Sequence, residues 1–300
     1  MTGTVDFQII ANFMAGKGIG RKILSDLEIF LKNHDKTFDV LAVEKPTPIS
    51  LLPGHNLEIR EGVICIGGDG TVSESMGYLL NKNLDLPLAI IPAGTANIIA
   101  TSLGLSNFIR SFNFLLERRI KAVDIGVADF GKERDFFLLG LGLGFEENFL
   151  KMTKERDKSS LGIFSYLFSA LAELLRIKKI ELKIKADEKS FSTQVCTLMV
   201  LNTPPKILKI FPLVKDKKLT PCDQLLNLYY VEYKNFFQSF WETLILHVVG
   251  KVNFGHIKSM SGKEFYLESD LPVGTQVDGE LKGNLPVRVS IHPSKLKLLL

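Results

Sequence analysis

Through the first 120 residues the apolar positions fall in short runs, each followed by a stretch with helical spacing. FQIIANF (7–13) reads as a short buried strand, with MAGKGIG and then helical RKILSDLEIFLKN after it. DVLAVE (39–44) is a second strand. GVICIGG (62–68) is a third, and it runs directly into helical DGTVSESMGYLLNK. PLAIIP (87–92) is a fourth, followed by NIIATSLGL and SFNFLLERR. This βαβα order predicts a parallel sheet with helices on both faces. Ligands of such sheets sit at the carboxyl ends of the strands, where the loops AGKG, GGDGT and PAGTAN would converge.

From about residue 121 strands dominate: KAVDIGVADF, RDFFLLGLG, KIELKIKAD, TQVCTLMVLN, LLNLYYVEY, EFYLES and PVRVSIH. Two helices interrupt them. One is LGIFSYLFSALAELLR (161–176). The other, FFQSFWETLILHVV (236–249), contains Gln238, Glu242 and His247 and reads as an amphipathic helix packed on one face. The fold class expected is α/β: a nucleotide-binding parallel-sheet domain plus a second, β-rich, sandwich-like domain.

Composition changes this picture little. With 46% apolar and 23% charged residues the chain has an ordinary globular balance, which excludes disorder. A net charge of +4 suits an anionic ligand or an acidic membrane surface. Residues 86–109 are long and uncharged enough to suggest a membrane span, but Pro92, Gly94, Thr95 and Asn97 interrupt the centre, so strand, turn and helix is the better reading. Cys65, Cys196 and Cys222 are far apart, odd in number and without a CxxC pair, which argues against a disulfide framework and a zinc site. The N-terminus shows no secretory pattern.

The candidate chemistry sits in the turns. Gly67, Gly68, Asp69, Gly70 and Thr71 lie between an apolar strand and a helix; glycines let the backbone approach phosphates, and the helix N-terminus favours their charge. Asp69 suits Mg²⁺ held together with phosphate oxygens, or else a helix cap. Pro92-Ala93-Gly94-Thr95-Ala96-Asn97 repeats the arrangement one strand on, and Thr95 and Asn97 can donate to phosphate or ribose. Gly16-Lys17-Gly18 adds a third glycine turn with a cation, without the spacing of a P-loop. Near the C-terminus, Asp278-Gly279-Glu280 offers two carboxylates suited to general-base work on a hydroxyl. Taken singly, each of these is also what an ordinary capped turn or Asp-Gly hairpin looks like.

Together they point further. GGDGTVSESMGYLL, then PAGTANIIATSLGL, then VDGE, in this order and spacing, resemble the diacylglycerol kinase catalytic-domain family, which includes bacterial lipid kinases and sphingosine and ceramide kinases. NFMAGKGIGRK is similar to the family's opening segment, with Phe13 where the family has proline. KSSLGIFSYLFSALAELL resembles a helix of its second domain. The resemblance implies an ATP-binding domain over 1–122 and 290–300, with the last strand returning to it, and a β-rich lipid-acceptor domain over 123–289. It implies ATP contacts from Asn12, Phe13, Met14, Ala15, Gly16, Lys17, Gly67, Gly68, Asp69, Gly70, Thr71, Glu74, Gly94, Thr95 and Asn97. It implies Glu280 as catalytic base supported by Asp278, and Asp69 organising the catalytic Mg²⁺. A second, structural metal would use Asp223 with the carbonyls of Thr220 and Leu225. Here the family's Asp-Asp-Gly reads Cys222-Asp223-Gln224, so weak or absent occupancy is expected there.

The activity implied is ATP-dependent transfer of the γ-phosphate to a lipid hydroxyl, on a diacylglycerol-like or sphingoid-like acceptor, in phospholipid metabolism. Two alternatives stay open: an NAD kinase-like enzyme with a soluble acceptor, and a non-catalytic lipid- or nucleotide-binding protein on the same scaffold. The expected partners are a lipid substrate and a membrane surface touched peripherally from the cytoplasm. No nucleic acid is expected, and a homodimer is left open. Pro204–Pro212, followed by Lys215, Lys217 and Lys218, combines apolar groups with cations and is the expected membrane contact, unless its apolar residues fill a local core.

Overall fold

A computed structural model of the chain describes residues 3–44, 49, 58–105, 112–144, 178–207, 211–212, 220–246 and 255–300. The chain forms two compact units: Met1–Val123 with Lys206–Lys209 and Ser294–Leu300, and Asp124–Pro205 with Ile210–Pro293.

The first unit is built on a six-stranded sheet in the order β2 (Phe38–Val43), β1 (Thr4–Asn12), β3 (Glu58–Gly67), β4 (Leu88–Pro92), β19 (Leu296–Leu299), β5 (Ile120–Val123). All neighbours are parallel except β5, which runs antiparallel to β19 at the edge. The C-terminal strand enters this sheet because Leu296, Leu298 and Leu299 are all buried there. The unbroken apolar runs reflect cover on both faces: Ile9, Ile10 and Ala11 of β1 and Val63 to Ile66 of β3 are 0% exposed. Helix α1 (Ile19–Lys32) buries Ile23, Leu24, Leu27 and Leu31, a stripe at helical spacing, against this sheet. Replacing fully buried Leu27 by Ala would cost about 2–5 kcal/mol. Three helices follow the strands: α2 (Asp69–Asn81), α3 (Ile98–Ser102) and α4 (Phe114–Glu117). The last two are shorter than their sequence patterns suggest. Gly104, at φ +83°, turns the chain out of α3.

The second unit is one antiparallel sheet of eleven strands that curves into a half-barrel. Its strands are β6 (Gly126–Asp129), β7 (Arg134–Phe137), β8 (Gly140–Gly144), β9 (Ile180–Ala186), β10 (Lys189–Leu201), β13 (Leu226–Glu232), β14 (Ile257–Gly262), β15 (Glu264–Glu268), β16 (Gly274–Val277), β17 (Glu280–Asn284) and β18 (Val287–Ile291). The two-residue strands β11 (Lys206–Ile207) and β12 (Phe211–Pro212) stand outside it. The turn comes at β10, whose first half pairs with β9 and whose second half lies between β8 and β13, with a register shift between Val195 and Thr197. Alternate residues such as Leu182, Ile184, Leu198, Val200, Phe265, Leu267, Val287 and Val289 fill the core. Helix α5 (Phe236–Leu244) lies against β13 and β10.

Two expectations need correction. KAVDIGVADF is two strands, not one: β5 belongs to the first sheet and β6 to the second. Between them Asp124, 1% exposed, donates its N–H to Pro221 O at 2.7 Å, which takes that N–H out of strand pairing, and its side-chain Oδ2 accepts from Gln224 N at 2.6 Å. RDFFLLGLG likewise divides into β7 and β8. The helix expected over 161–176 lies outside the described residues, as do residues 247–249 of the second helix.

Candidate functional site

The three glycine turns meet at the carboxyl ends of β1, β3 and β4, in the first unit. After β1, Asn12 donates its side-chain amide to Thr71 Oγ1 at 2.9 Å and accepts from Met14 N at 2.9 Å, which joins the first turn to the second. Ala15–Gly18 form a single 3-10 turn. Gly16 sits at φ +55°, and a Cβ there would lie 1.9 Å from the Ala93 carbonyl oxygen, so the first turn is pressed onto the third. Phe13, in the family's proline position, carries the Arg21 guanidinium 4.5 Å from its ring centroid. Met14 is 63% exposed. The Lys17 side chain lies outside the described residues.

The second and third turns touch backbone to backbone. A Cβ on Gly94 would come within 2.5 Å of Gly68 Cα, so this approach needs glycine. Asp69 locks the pair. Its Oδ1 accepts from Ile99 N at 2.8 Å and its Oδ2 from Ile98 N at 3.0 Å. The carboxylate thus caps α3, one turn away, and not its own helix. Among the described residues no N-cap side chain bonds α2, which begins at Asp69 after the extended Gly68. Gly70 and buried Thr71 form its first turn, and Ser75 Oγ donates to Thr71 O at 2.7 Å. An uncapped helix start beside two glycine turns presents backbone N–H groups and the positive end of a helix dipole, which together suit phosphate.

Not every expected contact faces outward. Asn97, at φ +49°, accepts from Gly94 N at 2.9 Å and donates to Gly94 O at 2.7 Å; its side chain closes its own turn. Thr95 is exposed beside it. Glu74 Oε2 accepts from Ile49 N at 3.1 Å.

The second group of carboxylates is in the second unit, on the β16–β17 turn. Asp278, at φ +47° and 9% exposed, accepts three backbone N–H bonds, from Leu138, Leu139 and Gly140, at 2.8, 2.9 and 3.0 Å. It pins the turn to the corner between β7 and β8. The Glu280 side chain is 46% exposed, and Lys282 Nζ stands 3.4 Å from its Oε2 and 3.1 Å from Asp135 Oδ1. Burial works against the Lys282 charge, but Asp135 and Glu280 outweigh it and its pKa is raised. The two carboxylates therefore divide their work by environment: Asp278 is held and Glu280 is presented. Asp135 and Lys282 were not found from sequence. The one available signal was that residues 280 and 282 share a strand face.

Two metal roles were expected. At the glycine turns, Asp69 is a carboxylate set at the start of α2 beside the other two turns, with its oxygens accepting from Ile98 N and Ile99 N, and a carboxylate there is the donor type that Mg²⁺ shared with phosphate oxygens takes. Among the described residues no group of three or more His, Cys, Asp or Glu is placed to hold an ion by itself. Asp223 is closed onto its own loop: Oδ2 accepts from Thr220 Oγ1 and Oδ1 from Leu225 N, both at 3.0 Å. Asp223 brings the one carboxylate of residues 220–225, where the family's neighbouring aspartate reads Cys222, a sparse donor set for a structural metal. Thiol chemistry has no place either in the two buried cysteines: burial pushes the Cys65 thiol up to about 12 and Cys196 up to about 11. No helix among the described residues is long and apolar enough to cross a membrane.

Residues 6–128 match the diacylglycerol kinase catalytic domain, and residues 150–300 the YegS C-terminal NAD kinase beta sandwich-like domain. A Staphylococcus carnosus protein named "Putative lipid kinase" is 28% identical over 241 residues, covering 78% of this chain and 75% of that one. A Staphylococcus aureus protein, "Putative lipid kinase SA0681", is 26% identical over 281 residues, covering 91% and 80%. The crystal structure described as "a putative diacylglycerol kinase from Bacillus anthracis str. Sterne" shares the fold at TM-score 0.73 and 20% identity, over 98% of this chain and 96% of that one. An Archaeoglobus fulgidus NAD kinase in complex with ATP shares it at TM-score 0.52 and 10% identity, over 98% and 93%.

Proposed function

This chain belongs to the diacylglycerol kinase catalytic-domain family, and on that premise we propose that it transfers the γ-phosphate of ATP to the hydroxyl of a membrane lipid. The observation that carries the reading is the Gly68–Gly94 contact, which sets two glycine turns and the uncapped start of α2 side by side as a cradle for a phosphate chain. The likeness in fold to an NAD kinase holding ATP is in keeping with a nucleotide there.

In this reading the N–H groups of residues 68–71 hold the triphosphate, and Asn12 and Asp69 fix the turns that present them. Mg²⁺, shared between Asp69 and the phosphates, would offset the charge on the group in transit. Glu280 accepts the proton of the lipid hydroxyl as its oxygen bonds to the γ-phosphorus. The bond from that phosphorus to the β,γ-bridging oxygen breaks, and ADP leaves with the electron pair. Asp278 keeps the turn that carries Glu280 in place. No step passes through Asp223.

One alternative has a specific support: both the second-domain match and a structural neighbour carry the name NAD kinase. Parallel incubations of the protein with ATP and either NAD or a diacylglycerol dispersion separate the two. Phosphorylated lipid with unaltered NAD supports the proposal, and NADP formation with unaltered lipid overturns it. Saturable ATP binding without turnover on any lipid class would leave only a binding protein.

A further inference from the structure

Helix α5 is amphipathic in the inverse sense. Its buried residues are Ser239, Glu242 and Thr243, whereas Phe237 is 82% and Trp241 57% exposed. Phe236, Phe240 and Leu244 are half-buried beside them, and the Phe236 ring lies 5.6 Å from Phe237 and 6.2 Å from Phe240, centroid to centroid. Specific polar bonds fix this orientation. Asn235 caps the helix by accepting from Gln238 N at 3.0 Å. Glu242 Oε1 meets His256 Nδ1 at 3.1 Å and Gln238 Nε2 at 3.1 Å, and Thr243 Oγ1 lies 3.3 Å from Cys196 Sγ. Turning the aromatic side inward would break the bonds to His256 and Cys196, which tie the helix to other segments, so the helix holds its aromatic stripe outward in a fixed pose.

We propose that this stripe is the bilayer-docking surface of the protein, entering the headgroup–acyl boundary of an anionic membrane. The chemistry favours lipid as the occupant. Phe and Trp are the side chains that settle at that boundary, and an apolar helix face lying in its plane is a recognised way of reaching it. The only ionisable residue of α5, Glu242, is 3% exposed and turned onto His256, so the helix itself brings no exposed carboxylate to the headgroups. Exposed Lys234, just before the cap, supplies a cation of the complementary sign. The inference rests on the lipid-kinase reading in one respect, that the acceptor resides in a bilayer. It places the contact on α5, apart from Pro204–Pro212 and its lysines, whose side chains from Lys206 onward lie outside the described residues.

Trp241 is the only tryptophan in the chain, so its fluorescence reports on this face alone. On addition of phosphatidylcholine–phosphatidylglycerol vesicles its emission should shift to the blue and be quenched by brominated acyl chains. The double substitution Phe237→Gln, Trp241→Gln should weaken vesicle sedimentation about a hundredfold, roughly tenfold per aromatic side chain withdrawn from the interface. It should leave turnover of detergent-dispersed lipid unchanged. Vesicle addition that leaves Trp241 emission unaltered overturns the inference. So does a blue shift that follows protein concentration without vesicles, which would mean that a second copy covers the face. Quenching by brominated lipid with no phosphorylation of dispersed lipid would uphold the docking surface and remove the kinase reading.

Discussion

Gly94→Ala is the sharpest local test of the phosphate cradle. The new Cβ would stand 2.5 Å from Gly68 Cα and 2.9 Å from Asn97 Oδ1. Ordinary carbon–carbon contact begins near ~3.5 Å, so the two turns must part by about 1 Å. Neither can yield cheaply. Gly68 is tied through Asp69 to Ile98 and Ile99, and Gly94 through both ends of the Asn97 side chain. Overpacking of this kind costs about 1–3 kcal/mol, so the protein should remain folded with a lowered Tm. A displacement of that size in a positioning element costs about a hundredfold in rate, and kcat/KM for ATP should fall by that order. Gly77→Ala is the control: it lies within α2, has nothing within 4 Å of the added methyl, and should stabilise by up to about 1 kcal/mol with normal turnover. Steady-state kinetics at varied ATP and a thermal melt on the three proteins decide the matter. Wild-type kcat/KM in Gly94→Ala would refute the argument that the closeness of these turns shapes the phosphate site.

Other substitutions separate binding, chemistry and support. Asp69→Ala should lower transfer a hundredfold or more and also loosen α3, seen as faster amide exchange at Ile98 and Ile99; near-normal turnover would count against the assignment. Glu280→Gln should retain ATP binding and Tm while kcat drops about a hundred- to ten-thousandfold. Asp278→Asn should act on stability instead, because the amide nitrogen would replace one of the two accepting oxygens and face at least one of the three backbone N–H donors; a fall of about 1–3 kcal/mol in unfolding free energy is expected, and an unchanged Tm would contradict it. The raised pKa of Lys282 means that its stabilising effect is complete below the ~10.4 of a free lysine and is lost as pH climbs through the folded value. The stability gap between wild type and Lys282→Met should therefore be full at neutral pH and close at strongly alkaline pH.

The parallel half of the first sheet was legible because burial on both faces writes itself as unbroken apolar runs, as in Val63–Ile66. The break at Asp124 was not, since a buried aspartate that accepts from Gln224 looks in sequence like one polar position in an alternating strand. The curvature at β10 leaves no mark either: Leu198 and Val200 keep the same alternation whichever strands lie beside them. Of the site, the glycine turns and their convergence at the strand ends could be read, and the bonds and backbone contact that join them could not. Asp69 reaches 29 and 30 residues ahead, and Asp278 binds amides about 140 residues back, distances at which spacing carries no information. Helix α5 shows the same limit. Its periodicity predicts a stripe, but which side turns inward was decided by His256 and Cys196, contributed by other segments of the chain.

The central claim is phosphoryl transfer from ATP to a lipid hydroxyl, and the direct measurement is transfer of γ-labelled ATP into a total lipid extract, with the product identified by mass spectrometry. Wild-type protein should yield a labelled lipid heavier than its parent by one phosphate, at a rate that Glu280→Gln reduces at least about a hundredfold. Label confined to ATP and inorganic phosphate, with wild type and Glu280→Gln indistinguishable, would contradict the account.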